Sequence, residues 1–110
     1  MVLPNADRAQ VDLEKLKRYL LSQTHPIGRS KARFFRGIGF DESNLAILEQ
    51  GLSTIAKAGK VVETVPSIHG TKYIVDGSIT TPSGDQVELR TIWIVDSGHT
   101  HPRFVTAYPG

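Results

Sequence analysis

The chain contains no cysteine, one methionine and one tryptophan among its 110 residues. The absence of thiols excludes disulfides, thiolate zinc sites and a cysteine nucleophile. No apolar run approaches the roughly 20 residues of a membrane-spanning helix, and the first ten residues lack the basic start and apolar core of a secretory signal. The sequence therefore predicts a single cytoplasmic domain, or a terminal module of a longer protein.

A large excess of charge of one sign is also missing. The formal net charge is +2, with 22% charged residues, which permits an anionic partner without requiring one. No phosphate-binding glycine loop, nucleophile elbow, HExxH motif or paired acid motif occurs, so several common enzyme classes are excluded. No cofactor is expected from this pattern.

Helical periodicity dominates the first half of the chain. Asp12 is a suitable N-cap for a first helix, whose leucines recur at spacings of three and four. A second helix is predicted over about residues 30–38. A third is predicted to follow Phe40 and to end at Gly59.

The second half has the composition of strands. Four segments rich in Val, Ile, Thr, Tyr and Trp predict strands at 60–68, 71–80, 86–95 and 103–109. Residues 81–85 form a turn that joins the second and third strands as an antiparallel hairpin, and Asp76-Gly77 is interpreted as a bulge. The prediction is one α+β domain over 1–110, with a mainly helical half (1–59) and an antiparallel β half (60–110). Three N-terminal helices are expected to pack on one face of a four-stranded antiparallel sheet.

The segment THPIGRSKARFFRGIGF, residues 24–40, combines four cations with three phenylalanines. Arg29, Arg33 and Arg36 share one stripe of the predicted helix. A solvated basic face is the simpler interpretation, and substrate binding by Arg29 and Arg33 is the functional one. Lys31 falls within the apolar stripe, so its ammonium group must be shielded, paired or directed at a cleft. We interpret Lys31 as a functional lysine.

His25 lies just ahead of a proline, in the loop that leads into this helix. A lone loop histidine is more often a surface or capping residue, but beside Lys31 and an arginine it suits general acid or base chemistry on a phosphate. These residue types suit metal-free RNA cleavage, in which cations stabilise the crowded phosphorane. The predicted catalytic residues are His25, Lys31, Arg103 and Thr106.

The last strand supplies further candidates. Strand alternation places Thr106 and Tyr108 on one face, with Val105 and Ala107 on the face that packs against the core. A hydroxyl pair on the open face can hydrogen-bond a phosphate, and Tyr108 can bind substrate by stacking on a base. The alternative is a partly buried aromatic beside a β-forming threonine. Trp93 is predicted to belong to the core.

His99 and His101 flank a threonine and have the spacing of a metal chelate. The sequence supplies no third ligand at a recognisable spacing, so no metal site is predicted. A polar hairpin loop is the favoured interpretation, and the role of the two histidines stays open.

The segments LPNADRAQVDLEKLKRYLLSQTHPIGRSKARFFRGIGF and PRFVTAYPG together resemble a bacterial domain family of unknown function. Its members occur as small stand-alone proteins and as C-terminal modules of large toxin-like proteins. No secretion or repeat module precedes the domain in this sequence, so a stand-alone version is expected. The residues that carry the resemblance are His25, Pro26, Gly28, Lys31, Ala32 and Phe35, then Arg103, Thr106, Ala107, Tyr108 and Pro109.

The layout is also similar to that of the barnase/EndoU/colicin/RelE-like toxin RNases, in which N-terminal helices pack on a curved antiparallel sheet. This resemblance implies a metal-independent endoribonuclease that acts on RNA rather than DNA and is held in check by a small partner protein. The competing hypothesis is a binding or immunity-like module whose basic surface holds an acidic partner protein. An enzyme requires the predicted catalytic residues to surround one cleft, whereas a binding module can scatter them.

Overall fold

The computed structural model describes residues 2–26 and 28–110. The helical half contains 3-10 turns at Ala6–Arg8 and Glu42–Asn44, an α-helical turn α1 (Leu13–Lys15) that continues into a π-helical turn (Leu16–Leu20), and the helices α2 (Arg29–Gly37) and α3 (Leu45–Ala58). The strands are β1 (Lys60–Ser67), β2 (Gly70–Thr80), β3 (Gln86–Asp96) and β4 (Arg103–Pro109). Within the described residues, none of the helices has the length and apolar character needed to span a membrane.

The first helical segment is short and widens at its end. Asp12 caps it by accepting a hydrogen bond from the Glu14 amide at 2.9 Å. The Leu21 amide donates to the Leu16 carbonyl, five residues earlier, at 2.8 Å, and this spacing defines the π turn. Leu16 and Leu20, at the two ends of the π turn, are fully buried, while the Tyr19 side chain reaches β4.

Turn residues set the limits of the next two helices. The chain leaves α2 through Gly39, whose φ of +105° lies in the region that favours glycine. Asp41 accepts from the Ser43 amide, and the Asn44 side chain accepts from the Asp41 amide, so the two side chains form a capping box ahead of α3. Helix α3 packs against β2 and contributes to the core its buried residues Leu48, Leu52, Ile55 and Ala56.

The four strands form one antiparallel sheet in the order β1-β2-β3-β4. The β2–β3 turn is closed by the Gly84 amide, which donates to the Thr81 carbonyl at 2.9 Å. Near the start of β4, Gln10 pairs with Arg103 in the parallel direction. The N-terminal segment therefore lies along the edge of β4, and this arrangement positions the candidate site.

Trp93 lies at the centre of the core, as predicted, and is fully buried. Its indole N–H donates to the Thr91 hydroxyl at 2.8 Å, and that hydroxyl donates to the Val75 carbonyl at 2.7 Å. Thr91 is therefore a buried polar residue whose hydrogen bonds are satisfied. The ring of Phe104 meets the Trp93 ring edge to face, with the centroids 5.4 Å apart.

The predicted packing of three N-terminal helices on one sheet face is wrong. Helix α3 packs against β2, but α2 contacts β4 and the π turn. The first predicted helix has a single α-helical turn before it widens. The chain leaves helical geometry at Leu21, whose amide closes the π turn on the Leu16 carbonyl, so the helix ends five residues before Pro26.

The predicted bulge at Asp76-Gly77 is also wrong, because β2 pairs with β3 without interruption from Gly70 to Thr80. Gly77 faces Ile55 of α3, and a Cβ atom at this glycine would lie 3.0 Å from that side chain. The glycine therefore serves close helix–sheet packing rather than a bulge.

An irregularity in β4 overturns the predicted alternation. Thr106 pairs with Ile92 and Phe104 pairs with the next residue of β3, which leaves Val105 as an extra residue. Phe104 and Ala107 are consequently both buried, at 2% and 0% exposure, whereas Val105 is half-buried. The prediction that Val105 lies in the core is therefore wrong, because the inserted residue reverses the alternation of faces that the prediction assumed.

Candidate active site

Polar groups from separate parts of the chain meet around the side chain of Tyr19. Its hydroxyl lies 3.1 Å from the Thr106 hydroxyl of β4, and its ring meets the His25 imidazole edge to face with the centroids 5.1 Å apart. The ammonium nitrogens of Lys15 and Lys31 lie 5.6 and 5.8 Å from the ring centroid, a distance typical of cation–π contacts. These five residues are called the Tyr19 cluster below.

The loop that carries His25 is fitted closely to Tyr19. A Cβ atom at Gly28 would collide with the Tyr19 carbonyl oxygen, so only glycine allows the loop to pass at this point. The Gly28 amide donates to His25 Nδ1 at 3.0 Å, and the His25 amide donates to the Ser22 hydroxyl at 3.2 Å. Because Nδ1 accepts a hydrogen bond, the neutral ring carries its hydrogen on Nε2.

The two lysines of the cluster are half-buried. Within residues 2–26 and 28–110, neither ammonium group has a hydrogen bond or an ion pair. Burial, and secondarily the positive charge of Arg103, lower the pKa of Lys15. Partly buried cations that no carboxylate neutralises are typical of an anion-binding site. By contrast, four arginines each form an ion pair, namely Arg18–Glu14, Arg36–Glu42, Arg90–Asp76 and Arg103–Asp96.

The structure brings together His25, Lys31 and Thr106, which the sequence predicted as catalytic. It places the fourth predicted residue, Arg103, at the start of β4. Arg103 pairs with Ile94 and Thr106 pairs with Ile92, so the two residues are about 7 Å apart along the strand. The Arg103 guanidinium donates to both carboxylate oxygens of Asp96, at 2.7 and 3.1 Å. This pairing raises the pKa of Arg103 and lowers that of Asp96.

The predicted substrate-binding arginines lie on the exposed side of α2. Arg29 and Arg33 line a cleft of about 310 Å³ together with Gln23. Arg36, the third arginine of the stripe, donates to the Leu21 carbonyl at 2.7 and 3.0 Å and thereby ties α2 to the end of the π turn. Arg36 has a structural role, whereas Arg29 and Arg33 are exposed to solvent.

Tyr108, the remaining predicted substrate-binding residue, is half-buried two positions beyond Thr106. It is paired across the strands with Arg90, whose guanidinium binds Asp76 at 2.8 and 2.9 Å. Tyr108 therefore lies on the same strand as Thr106 and outside the Tyr19 cluster.

The two histidines of the β3–β4 loop lie in a different place. His99 and His101 line a cleft of about 410 Å³ that also includes Asp96 and Arg103. In the part of the chain that the structure describes, no group of three His, Cys, Asp or Glu side chains has the geometry of a metal site.

Tyr19 and Lys15 were not predicted from the sequence as site residues. Their spacing of four residues could have indicated a contact, because it places a cation and an aromatic ring on the same side of a helix. The contact with Thr106 gave no local signal, because 87 positions separate the two residues.

The fold and the site define the chain as an α+β domain with a cationic cluster beside the outer strand of its sheet. The chain belongs to a family, because its residues 2–110 match the model of the domain of unknown function DUF6883. This membership confirms the predicted relation to a domain family of unknown function. No curated protein matches the chain.

Among solved structures, the chain is similar to one in a contact-dependent growth inhibition toxin–immunity protein complex from Klebsiella pneumoniae 342. The two chains are 20% identical with a TM-score of 0.71, and the match covers 94% of this chain and 95% of the other. This likeness shows that the two chains share a fold.

Proposed function

We propose that this domain is a metal-independent endoribonuclease of the toxin type. The observation that supports this most strongly is the convergence of His25, Lys31 and Thr106 on Tyr19. These side chains come from a loop, a helix and the last strand. Convergence of an acid–base group, a cation and a hydroxyl is what phosphoryl chemistry requires.

The proposed reaction is a transesterification within the RNA backbone. The 2′-oxygen forms a bond to phosphorus while its proton passes to solvent water, and the bond from phosphorus to the 5′-oxygen breaks. The products are a 2′,3′-cyclic phosphate and a 5′-hydroxyl end. DNA is excluded as a substrate because it lacks the 2′-hydroxyl group.

Each predicted catalytic residue in the Tyr19 cluster has a role in this reaction. Lys31 and the Thr106 hydroxyl stabilise the negative charge of the phosphorane, and protonated His25 donates its Nε2 hydrogen to the leaving 5′-oxygen. A protonated ring carries hydrogens on both nitrogens, so charging His25 displaces the Gly28 amide from Nδ1. Tyr19 holds the Thr106 hydroxyl in place.

Residues outside the cluster bind the rest of the substrate in this proposal. Arg29 and Arg33 contact phosphates that flank the cleavage point, and Tyr108 stacks on a base. The same exposed arginines also form a surface on which the acidic groups of a small neutralising partner protein could bind.

The test is incubation of the folded domain with an end-labelled RNA of mixed sequence in the presence of EDTA. We expect cleavage products that end in a 2′,3′-cyclic phosphate. His25→Ala and His25→Gln should each lower kcat/KM about 10²- to 10⁴-fold, and Lys31→Ala should lower it by a similar factor. The matched control is Lys57→Ala, because Lys57 is an exposed lysine of α3.

Two outcomes contradict the proposal. The first is RNA that stays intact with folded wild-type protein, and the second is full activity in both His25 variants. The glutamine variant has a further use, because its amide keeps a hydrogen-bond donor but cannot transfer a proton. Activity in His25→Gln alone would reduce the role of His25 to hydrogen bonding.

A second candidate function is an immunity-like module that binds an acidic partner. The observation in its favour is the exposed pair Arg29 and Arg33, and the solved complex with the same fold contains an immunity protein as well as a toxin. Expression in bacteria distinguishes the two functions. A toxin slows growth and His25→Ala relieves the effect, whereas an immunity-like module leaves growth unchanged.

A further inference from the structure

We propose that Lys15 of the Tyr19 cluster and Arg103 form a second phosphate subsite, so that the site binds two consecutive phosphates of single-stranded RNA along the edge of β4. The inference rests on the proposed ribonuclease function and names its substrate class. It assigns Arg103, which the sequence predicted as catalytic, to the binding of a neighbouring phosphate.

The two subsites lie side by side because the N-terminal segment runs parallel to β4. Gln10 pairs with Arg103 in the parallel direction, so the N-terminal segment follows β4. Tyr19 contacts Thr106, and one helical turn earlier Lys15 comes under the electrostatic influence of Arg103. Four residues span about 6 Å in a helix. Arg103 and Thr106 pair with Ile94 and Ile92, which are about 7 Å apart along the strand. The Lys15–Arg103 pair therefore lies next to the Tyr19–Thr106 contact.

A cleft is present between these two elements. It has a volume of about 430 Å³ and is lined by Gln10, Val11, Asp12, Lys15, Arg103 and Phe104. Its cations come from both walls, Lys15 from the N-terminal segment and Arg103 from β4. An anion in the cleft would therefore contact positive charge on two sides.

The charges around the cleft favour an anion. Within the described residues, no carboxylate lies within 4.0 Å of the Lys15 ammonium group. Two carboxylates lie nearby. The Asp12 charge raises the pKa of Lys15, but less than burial and Arg103 lower it, and Asp96 binds Nε and Nη2 of Arg103, which leaves Nη1 available. Burial of Lys15 near a second cation is unfavourable, and a bound phosphate would offset that cost.

Single-stranded RNA fits this geometry because its backbone can follow one edge of the sheet. The ammonium nitrogens of Lys15 and Lys31 both lie within 6 Å of the Tyr19 ring centroid. One strand that passes the Tyr19 cluster thus places one phosphate beside Lys31 and the next beside Lys15. Unpaired bases remain accessible for stacking.

The test compares uncleavable 2′-O-methyl oligonucleotides that differ by one phosphate. A dinucleotide carries one phosphodiester and a trinucleotide carries two, and NMR titration measures the Kd of each. For wild type we expect the trinucleotide to bind about tenfold more tightly than the dinucleotide. Lys15→Gln should reduce this gain to less than about twofold. Lys17→Gln is the matched control, because Lys17 is an exposed lysine of the same segment.

A longer 2′-O-methyl dodecamer gives an independent measurement. The slope of log Kobs against log salt concentration should become less steep by about 0.7 in Lys15→Gln, which corresponds to one lost phosphate contact with a single strand. The slope should stay unchanged in Lys17→Gln. A polyglutamate chain of equal charge should bind more weakly than the dodecamer.

The outcomes separate this proposal from the proposed function. Cleavage of RNA without a Lys15-dependent gain overturns the second subsite and leaves the ribonuclease intact. A Lys15-dependent gain without cleavage supports the subsite and contradicts the ribonuclease. Equal losses in Lys15→Gln and Lys17→Gln, or tighter binding of polyglutamate than of RNA, overturn the subsite and favour an acidic protein as the occupant.

Discussion

Replacing Tyr19 by phenylalanine removes a single oxygen atom from the centre of the cluster. The aromatic ring stays, so its contacts with His25 and with the two ammonium groups are retained. The change removes the 3.1 Å hydrogen bond to the Thr106 hydroxyl. A partly buried hydrogen bond of this kind contributes about 1 kcal/mol to the free energy of unfolding, so Tm should fall by about 4–8 °C.

The same substitution should affect catalysis through Thr106. A hydroxyl that is no longer held in place stabilises the phosphorane less, and a loss of about 1.4 kcal/mol corresponds to a tenfold decrease in kcat. KM and the pH dependence should stay unchanged, because Lys31 and His25 are intact. Kinetic measurements on a short fluorogenic RNA give both constants.

A double-mutant cycle isolates the Tyr19–Thr106 contact. Thr106→Val combined with Tyr19→Phe should show a coupling energy of about 1 kcal/mol in both stability and kcat. Tyr73→Phe serves as the control, since Tyr73 is a half-buried tyrosine of β2 outside the cluster. Additive effects of the two substitutions, or a Tyr19→Phe protein with wild-type kcat and Tm, would refute the reasoning.

Three further predictions concern stability. Gly28→Ala should lower the free energy of unfolding by about 1–3 kcal/mol in thermal melts, because the new methyl group collides with a backbone carbonyl. The control is Gly37→Ala, which should be neutral or stabilising because no atom lies within 4 Å of the new methyl group. Thr91→Val should cost about 1–3 kcal/mol in urea unfolding, because it leaves the buried indole N–H without its acceptor; an unchanged midpoint would contradict this. The hydrogen bond from Arg90 lowers the pKa of Asp76. The ionised Asp76 carboxylate therefore stabilises the fold above its unfolded-state pKa of about 3.9. This contribution is lost as pH falls through the lower folded-state pKa. Tm should therefore decrease more steeply below about pH 4 in wild type than in Asp76→Asn, as followed by circular dichroism.

The positions of the strands could be predicted because their signals are local. Runs of β-branched and aromatic residues are separated by turns that contain proline and glycine, and each signal acts within a few residues. The cap at Asp12 and the end of α2 near Gly39 are of the same kind. The half-buried state of Lys31 also followed from its place in the apolar stripe of one helix.

Sequence patterns could not predict the register of β4 or the packing of the first helix. One extra residue at Val105 reverses the faces of the strand, and nothing in the local alternation marks it. The first helix widens into a π turn that buries Leu16 and Leu20, and their burial depends on the rest of the core.

For the candidate site, the sequence by itself determined the types of residue present: one loop histidine, a lysine on an apolar stripe, and a threonine and arginine in the last strand. Only the tertiary structure decided which of them meet. Tyr19 and Thr106 come within 3.1 Å of each other because the N-terminal segment lies along the edge of β4 through Gln10. The same packing brings Lys15 and Arg103 to the lining of one cleft. Contacts between residues so distant in sequence depend on the packing of whole elements, and no local pattern encodes them.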